Sequence, residues 1–319
     1  MAPPQLLFHP PLLNTACPWA TTEDDIRALL CCPSTGAVTT RTSLVGGFAH
    51  DDAVHRYTFI ELAGGTPVSS DVGHKAVGSV NSLGYSPIPL HGYISILRRL
   101  AKSLPANAAR KTIIISVTGD PASVAQCYTQ ISLAAPSVPF PLAMEVNLSC
   151  PNIPGSPPPA YTPSALTPYL ASLPPDPVLP VGVKLPPFTY ASQFAALVPT
   201  LRPYASRLSF ITATNTLGSC LVFDGGVGDG QGGGMLQGGM AGAPLHPLAL
   251  GNVATLRRLL DETDELRHMV IIGVGGVNDG DGYRRMRRAG ATAVGLATGL
   301  GSNGKRVFED IESHVGSSW

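Results

Sequence analysis

Short hydrophobic runs rich in β-branched residues alternate along this chain with longer segments of helical period. This alternation is typical of strand–helix units that build a parallel sheet. The pattern predicts eight strands, over residues 12–16, 37–41, 112–117, 143–148, 181–185, 209–213, 269–274 and 291–296. It predicts one helix in TTEDDIRALL, where Thr22 is the expected N-cap, and seven more over residues 89–101, 121–132, 163–171, 191–201, 247–260, 280–289 and 305–315.

Eight strands are the number that closes a sheet into a barrel. An open doubly wound sheet would show the same alternation. In a barrel, however, polar groups gather at the carboxyl ends of many strands at once, and this chain distributes them in that way. A length of 319 residues, 44% of them hydrophobic, suits one large domain. We therefore predict an α/β fold, a (β/α)8 TIM barrel that forms a single domain over residues 1–319.

Two connections are too long for ordinary turns between the strands and helices of a barrel. Residues 43–90 contain the hairpin-like HRYTFIELAGG, and we predict that they form an inserted segment over the barrel mouth. Residues 218–244 are mostly glycine and other small residues, which indicates a flexible lid or a loop that holds a phosphate. We place this glycine-rich loop over the C-terminal mouth as well.

Composition and charge narrow the choice of partners. The 21 basic and 21 acidic residues cancel, so no overall charge attracts nucleic acid or an anionic membrane, and we expect a small-molecule partner. Six cysteines without a regular framework suit a reducing compartment, and no targeting signal or membrane-spanning run is apparent, so we expect a cytoplasmic protein. Metal-ligand spacing is absent from the histidines of the inserted segment, which are His50, His55, His74 and His91.

The segment MEVNLSCPN carries the first candidate chemistry, at and just beyond a strand end. Asn147 and Asn152 offer both donors and acceptors, so they can bracket a planar ring that bears carbonyl and N–H groups. As a thiolate, Cys150 can take a proton from a carbon next to a carbonyl group. The alternative is that Cys150 packs as a small hydrophobic residue, which is the commoner role of a free cysteine. Prolines on both sides of the loop argue against burial.

Other strand ends add polar groups to the same rim. Lys184 lies in VGVKLPP, where its ammonium group would face the barrel mouth; the alternative is a lysine that extends from the strand end to solvent. Asn215 and Thr216 follow the next strand and supply an amide and a hydroxyl, although such a pair is also common in turns. Arg41, at the end of the second strand, can hold a carboxylate or can be a surface cation.

Glycines follow the last two strands. Gly275 and Gly276 stand in IIGVGGVNDG, while Ala297 and Thr298 stand in GLATGL. Barrels often bind phosphate here, since glycine lets backbone N–H groups approach its oxygens. Tight turns that simply require glycine are the alternative. In the inserted segment, SVNSLGYSP adds further polar groups, while the sequence leaves open whether Tyr85 and Trp19 belong to the core or to the mouth.

Taken together, six segments resemble the dihydroorotate dehydrogenases: MEVNLSCPNIPG, VGVKLPP, ATNTLG, GGMAGAPLHPLALGNV, IIGVGGVNDG and GLATGL. The resemblance runs over nearly the whole chain and is weakest over residues 46–77. It implies FMN at the top of a barrel, with dihydroorotate stacked on the flavin. A base would remove the C5 proton while a hydride passes from C6 to flavin N5.

The resemblance also implies a subgroup. Membrane-associated members use serine as the base and carry an N-terminal helical extension, whereas soluble members use cysteine, and Cys150 stands in that position. Soluble members that use NAD require an iron–sulfur partner subunit. The fumarate-using homodimers match best, which implies fumarate as electron acceptor. Two alternatives stay open: a diverged FMN enzyme for another pyrimidine or an enone, and a barrel that binds flavin or phosphate without turnover.

Residue by residue, the resemblance implies a set of roles. Catalysis is implied for Cys150 and Lys184. Substrate binding is implied for Asn81, Gly84, Asn147, Asn152, Asn215 and Thr216. Contacts to FMN are implied for Ala16, Cys17, Arg41, Asn147, Lys184, Gly218, Gly238, Gly239, Gly275, Gly276, Ala297 and Thr298.

The chain departs from the family pattern in places that concern the ligands. Arg41 replaces a lysine, and GFAHDDAVHR stands where the family has GNPxPR. Cys17 replaces a glycine or another small residue under the flavin, His246 replaces a lysine before proline, and Thr216 stands where serine is usual. Because guanidinium is longer and planar, contacts to the flavin or to a substrate carboxylate are expected to differ.

Overall fold

The computed structural model describes residues 2–61, 67–68, 77–105, 108–153, 155–223, 234–316 and 319. In these ranges the strands are β1 (Leu12–Asn14), β2 (Ala37–Thr39), β3 (Tyr57–Ile60), β4 (Pro67–Val68), β5 (Gly78–Asn81), β6 (Thr112–Val117), β7 (Leu142–Asn147), β8 (Val181–Leu185), β9 (Phe210–Ala213), β10 (Leu217–Phe223), β11 (Met235–Gly242), β12 (Val270–Val274) and β13 (Ala293–Leu296). The α-helices are α1 (Glu23–Leu30), α2 (Leu90–Ser103), α3 (Pro121–Ala134), α4 (Pro163–Ser172), α5 (Ala191–Leu201), α6 (His246–Asp261), α7 (Gly280–Arg288), α8 (Thr298–Asn303) and α9 (Arg306–Val315).

Eight parallel strands close into a barrel in the order β1-β2-β6-β7-β8-β9-β12-β13. They are the eight strands predicted from the hydrophobic pattern, so the (β/α)8 prediction is confirmed and the open sheet is excluded. The register places Asn147 opposite Lys184 and Lys184 opposite Thr212. Because parallel strands end at one rim, this register brings polar side chains of the neighbouring strands β7, β8 and β9 together near that rim.

Hydrophobic side chains fill the barrel below that rim. Leu13, Ile114, Phe210 and Ile272 pack into one cluster inside the barrel. Gly182 on β8 makes room for this packing, since a Cβ atom there would lie 2.4 Å from Cδ2 of Phe210. A second, larger core lies between the strands and the helices, because each helix turns its apolar face toward the barrel.

An antiparallel sheet, here called the cover sheet, consists of β10-β11-β5-β3-β4. Strands β3, β4 and β5 come from the predicted insertion, and the pairing of Phe59 with Val68 confirms its hairpin. The prediction of a flexible lid or loop over residues 218–244 is wrong for the described parts, which form β10 and β11. Their glycines permit close strand pairing: a Cβ atom on Gly238 would lie 1.9 Å from the Asn81 carbonyl oxygen.

Most helix boundaries agree with the sequence to within one or two residues. At α1, Thr22 accepts a hydrogen bond from the Asp25 backbone N–H and Asp25 accepts one from Thr22, so the predicted cap is a full capping box. Helix α8 was not predicted because its sequence, TGLGSN, has too many glycines and is too short to show a helical period. Within the described ranges, no helix is long and apolar enough to cross a membrane.

Packing inside the barrel can be tested with a pair of glycine substitutions. Gly182→Ala should lower the free energy of unfolding by about 1–3 kcal/mol, because the added methyl group overlaps the Phe210 ring. The matched control is Gly251, an exposed glycine inside α6 where an added methyl group would meet no neighbouring atom within 4 Å. Gly251→Ala should instead raise stability by up to about 1 kcal/mol through helix propensity. Urea denaturation monitored by circular dichroism measures both, and equal effects of the two substitutions would contradict this packing.

Candidate active site

Two adjoining cavities lie between the barrel rim and the cover sheet. The cysteine cavity is lined by Ala16, Cys17, Pro18, Trp19, Arg41, Thr42, Tyr57, Ser79, Asn81, Leu83, Gly84, Tyr85, Asn147, Cys150, Pro151, Asn152, Lys184, Asn215, Thr216, Ala241, Ala297 and Thr298. The glycine cavity shares Ala16, Lys184, Asn215, Thr216, Ala241, Ala297 and Thr298 with it and extends to Gly275, Gly276, Asn278, Gly299 and Ser302. Since they share these walls, the two cavities form one trough.

Polar side chains at or just after the ends of strands β2, β7 and β9 form a hydrogen-bonded group in the cysteine cavity. Oδ1 of Asn147 accepts from the Ser149 backbone N–H (3.3 Å), from Ser149 Oγ (2.8 Å) and from Asn215 Nδ2 (3.3 Å). Asn147 Nδ2 donates to Thr42 Oγ1 (3.0 Å). The Ser149 backbone N–H can only donate, so the orientation of the Asn147 amide is fixed.

A second amide pair joins the barrel to the cover sheet. Asn152 Nδ2 donates to Asn81 Oδ1 (2.9 Å) and to the Leu83 carbonyl (3.0 Å), and Asn81 Nδ2 donates to the Gly239 carbonyl (3.1 Å). The hydrogen bonds of the described residues leave three amide groups without a partner. They are one N–H of Asn147, one N–H of Asn81 and the side-chain carbonyl of Asn152. A ligand in this cavity therefore meets both donors and acceptors, as a planar ring with C=O and N–H groups requires.

Cys150 is half-buried at the wall of the same cavity, although the flanking prolines had argued against burial. Burial raises the pKa of its thiol, because a thiolate is poorly solvated there. Three groups act in the opposite direction: the Asn152 backbone N–H, the Tyr85 hydroxyl and the positive charge of Lys184. The thiol is therefore held in a pocket with specific partners for its anionic form.

Two cations face the trough. Lys184 is only 3% exposed, and its Nζ donates to Thr15 Oγ1 (3.3 Å). Arg41 donates from Nη2 to the Gly84 carbonyl (3.3 Å), and burial lowers the pKa of its guanidinium. No Asp or Glu lines either cavity among the described residues. The trough is therefore suited to an anionic ligand.

Cys17 lies beside these cations and is buried. Burial raises the pKa of its thiol to about 12, and the opposing charges of Lys184 and Arg41 do not offset that effect. Cys17 is therefore a neutral thiol under ordinary conditions, and its role in the trough is that of a small wall residue. The Trp19 backbone N–H also favours the anionic form of Cys17, but burial outweighs it.

The glycine cavity has the features of a phosphate site. Gly275 and Gly276 have φ values of 140° and 72°, and a Cβ atom on Gly276 would lie 2.5 Å from the Gly242 carbonyl oxygen. Thr214, which lines this cavity, has a buried hydroxyl without a hydrogen-bond partner among the described residues. Thr298 Oγ1 lies 3.0 Å from Ser79 Oγ and so ties this turn to the cover sheet. Glycine backbone, free hydroxyl and a nearby Lys184 together fit a phosphate group.

His246 supports the same turn from behind. Its Nδ1 lies 2.7 Å from the Gly275 carbonyl oxygen, which can only accept, so Nδ1 carries the proton. Nε2 is then the acceptor for Nε–H of Arg285 at 3.2 Å. At the position where the family has lysine, this chain thus uses a histidine that anchors the glycine turn. The sequence indicated the substitution but not this contact.

Three residues of the predicted site do not line the trough. Gly238 and Gly239 are in β11, where a Cβ atom on Gly239 would lie 2.1 Å from Thr216 Oγ1, and Gly218 in β10 packs against Pro151. None of these three glycines is among the described residues that line the two cavities. Their contact with a cofactor stays a prediction, while close packing already accounts for glycine at these positions.

The sequence left the role of several aromatic residues open, and the structure places them at the mouth. Trp19 stacks on Phe59 with a centroid distance of 5.8 Å and meets Tyr57 edge-on at 5.5 Å. Trp19 and Tyr57 form one wall of the cysteine cavity. Tyr85 lines this cavity as well. Phe48, from the segment that replaces GNPxPR, packs edge-on against the Tyr85 ring with a centroid distance of 5.7 Å.

Tyr85 and Cys150 also line a further cavity behind the thiol, the rear cavity, together with Thr118 and Tyr169. The Tyr85 hydroxyl interacts with both Cys150 and Thr118, and burial raises the pKa of the phenol far above its usual value. Tyr85 therefore stays protonated and can donate to the thiolate. An aromatic residue after a glycine gave no sequence signal for this role.

Two histidines of the insertion contact neighbouring polar groups. Nε2 of His50 lies 3.0 Å from Asp52 Oδ1, and Nδ1 of His55 accepts from the Asp51 backbone N–H at 2.9 Å. His74 lies outside the described residues. In the part of the chain that the structure describes, no cluster of three His, Cys, Asp or Glu side chains could hold a metal ion.

Comparison with known proteins gives one consistent family. The model of the family "Dihydroorotate dehydrogenase" matches residues 68–318. The chain is similar to the dihydroorotate dehydrogenase (fumarate) of Trypanosoma cruzi, with 28% identity over 316 residues, which cover 97% of this chain and 89% of that protein. A putative dihydroorotate dehydrogenase A (fumarate) of Streptococcus equi is 31% identical over 245 residues, covering 75% and 72% of the two chains.

A solved structure shares the fold. The ligand-free DHODH from Eimeria tenella superposes with a TM-score of 0.68 and 14% identity, covering 97% of this chain and 84% of that one. At this identity the likeness concerns the fold alone.

The hydrogen bond from Tyr85 to Cys150 predicts a shift in thiol reactivity. Tyr85→Phe removes a donor that stabilises the thiolate, so the pKa of Cys150 should rise further, by about one unit for a hydrogen bond to a charged group. The rate of iodoacetamide labelling of Cys150, followed by peptide mass spectrometry across pH, should reach half its maximum at a correspondingly higher pH.

Tyr169→Phe is the matched control, because Tyr169 lines the same rear cavity but does not contact the thiol. It should leave the labelling profile unchanged. An unchanged profile in Tyr85→Phe, or the same shift in both variants, would show that Tyr85 does not act on the thiolate.

Proposed function

The chain belongs to the dihydroorotate dehydrogenase family, and we propose that it oxidises dihydroorotate to orotate with FMN as cofactor and fumarate as electron acceptor. Members of this family are flavoproteins. The observation that carries the proposal is the trough itself: an anion-binding glycine turn at one end, and at the other a thiol among amides, with Lys184 between them.

In this proposal the glycine cavity holds the FMN phosphate. The N–H groups of the Gly275–Gly276 turn and the Thr298 hydroxyl would bind the phosphate oxygens, and His246 would keep the turn in place. Lys184, at the boundary of the two cavities, would neutralise negative charge on the ring system of the cofactor. When bound, the flavin supplies the hydride acceptor.

The cysteine cavity takes the substrate. Dihydroorotate is a ring that carries amide C=O and N–H groups and a carboxylate, and the free groups of Asn147, Asn81 and Asn152 match such a ring. Arg41 is the cation at that end of the cavity and would bind the carboxylate as a planar fork. Trp19 and Tyr57 close the side of the cavity and exclude water.

Cys150 acts as the base. Its thiolate would take the C5 proton while the C6 hydride leaves, and the proton on sulfur is later released to solvent. Because burial raises the pKa of this thiol, the thiolate is a minor form near neutral pH, and the rate should increase with pH up to that pKa. Tyr85, the Asn152 backbone and Lys184 stabilise the thiolate that the reaction needs.

The relatives named for fumarate support this acceptor. Fumarate is a dianion and could enter the same cavity once orotate has left, beside Arg41 and Lys184. Following the resemblance, the proposal also includes a single domain, a homodimer and a cytoplasmic location. A second candidate, oxidation or reduction of another pyrimidine or of an enone, rests on Arg41 and on the segment GFAHDDAVHR, which both differ from the family pattern.

Anaerobic spectroscopy separates these functions. Stoichiometric dihydroorotate should bleach the flavin absorbance of the purified protein, and fumarate should restore it faster than quinone or oxygen in parallel samples. A flavin that stays oxidised with dihydroorotate but is bleached by another dihydropyrimidine would favour the second candidate. So would a flavin that dihydroorotate does not reduce but that, once reduced by dithionite, is reoxidised by an enone. A colourless protein that cannot be reconstituted with FMN would eliminate both.

The role of Cys150 predicts a specific kinetic defect. Cys150→Ala should keep its flavin, since the glycine cavity is untouched, while the rate of flavin reduction by dihydroorotate falls by about 10²–10⁴-fold. Stopped-flow absorbance measures this rate. Cys31→Ser, which changes an exposed thiol in the turn after α1, is the control and should react at the wild-type rate. A wild-type rate in Cys150→Ala would remove this residue from the role of base.

A further inference from the structure

A buried carboxylate lies inside the barrel, two residues before Asn147 on the same strand. Glu145 is 1% exposed, and residues two apart on a strand point to the same side. Its Oε1 accepts from Ser116 Oγ on β6 at 2.9 Å, and its Oε2 accepts from Thr212 Oγ1 on β9 at 2.6 Å. Both oxygens thus accept a hydrogen bond from a hydroxyl group.

From Glu145 a line of hydrogen bonds leads up to the rim. Ser116 Oγ lies 2.9 Å from Thr42 Oγ1, and Thr42 Oγ1 accepts from Asn147 Nδ2 at 3.0 Å. Each hydroxyl has a single hydrogen to donate. Since Ser116 donates its hydrogen to Glu145, Ser116 must accept a hydrogen bond from Thr42. Thr42 then has no second hydrogen, so it can only accept from Asn147.

The contacts of Asn147 at the rim give the same direction for the donors of this line. Oδ1 of Asn147 faces the Ser149 backbone N–H, an obligatory donor, so Nδ2 must face Thr42. All donors therefore point from the rim down toward Glu145, which is the acceptor at the end of the line. Removing that acceptor would leave Ser116 with a hydrogen and no partner, and only the contacts on the Ser149 side would then hold the Asn147 amide in this orientation.

We propose that Glu145 is a positioning residue, which acts through Ser116 and Thr42 and, together with the Ser149 backbone N–H, holds the amide of Asn147 in the orientation that binds substrate. The inference rests on the proposed function, because it assigns Asn147 to the substrate ring. Glu145 touches neither of the two cavities and takes no part in the chemistry itself. Thr212, its other donor, is not on the path to Asn147.

The line from Glu145 to Asn147 and the separate contact of Glu145 with Thr212 give a matched set of variants. Ser116→Ala cuts the line below Thr42 without changing a residue that lines either cavity. Glu145→Gln keeps the shape of the acceptor but introduces a donor at one of its two hydroxyl contacts. Thr212→Val removes the separate contact only, and it is the control. Flavin content and melting temperature show that each variant folds.

The readouts are the Kd of orotate, from the change it causes in the flavin spectrum, and the KM and kcat for dihydroorotate. Ser116→Ala should weaken orotate binding and raise KM about tenfold, with a smaller effect on kcat. Glu145→Gln should also weaken orotate binding. The variant that combines Glu145→Gln with Ser116→Ala should bind orotate as tightly as Ser116→Ala alone, because both changes interrupt the same line of hydrogen bonds. Thr212→Val should stay within about threefold of the wild-type protein.

Three results would overturn the inference: wild-type orotate affinity in Ser116→Ala, additive effects in the double variant, or an equal loss in Thr212→Val, which would indicate a merely structural role. If the wild-type protein itself neither binds orotate nor reacts with dihydroorotate, the proposed function fails instead. The inference is then decided by crystal structures of Ser116→Ala and the wild-type protein. A rotated or disordered Asn147 amide supports it, and an unchanged amide contradicts it.

Discussion

All eight barrel strands run parallel, so their carboxyl ends meet at one rim, and the polar groups there must find partners in a space that the cover sheet closes. Burying amides, a lysine and a thiol in that space is costly unless each is hydrogen-bonded or leaves a position for a ligand. The structure meets this condition with a network that involves Asn147, Asn215 and Ser149. What the network leaves unpaired determines what the trough can bind.

The cover sheet and the barrel form the trough together, and neither provides it alone. Asn152 of the barrel is bonded to Asn81 of the cover sheet, and Thr298 of the barrel rim to Ser79. The trough carries positive charge from Lys184 and Arg41 and no acidic side chain among the described lining residues. The acidic side chain of Glu145 lies below the trough, where two hydroxyl groups donate hydrogen bonds to it. This separation lets one site attract an anionic cofactor and substrate while keeping the amides oriented.

The repeated strand–helix pattern and the polar residues at strand ends were enough to predict the barrel and the convergence of Cys150, Lys184 and Asn147 on one rim. Strands β10 and β11 escaped prediction because their glycines have low strand propensity. In addition, β11 pairs with β5, which lies far away in the chain, and β10 pairs with β11. Tyr85 was ambiguous since its contact to Cys150 depends on how the insertion folds back. Glu145 gave no signal, because an acidic residue in a strand usually faces solvent, and only closure of the barrel directs it inward.

The central claim is that thiol, amides and glycine turn serve one ligand pair in one trough, and a crystal structure with FMN and orotate tests it most directly. The account predicts the FMN phosphate against the Gly275–Gly276 turn, and orotate within hydrogen-bond distance of Asn147 and Asn152 with Cys150 Sγ facing its ring. A phosphate bound elsewhere, or a Cys150 sulfur that points away from the ring of bound orotate, would contradict it.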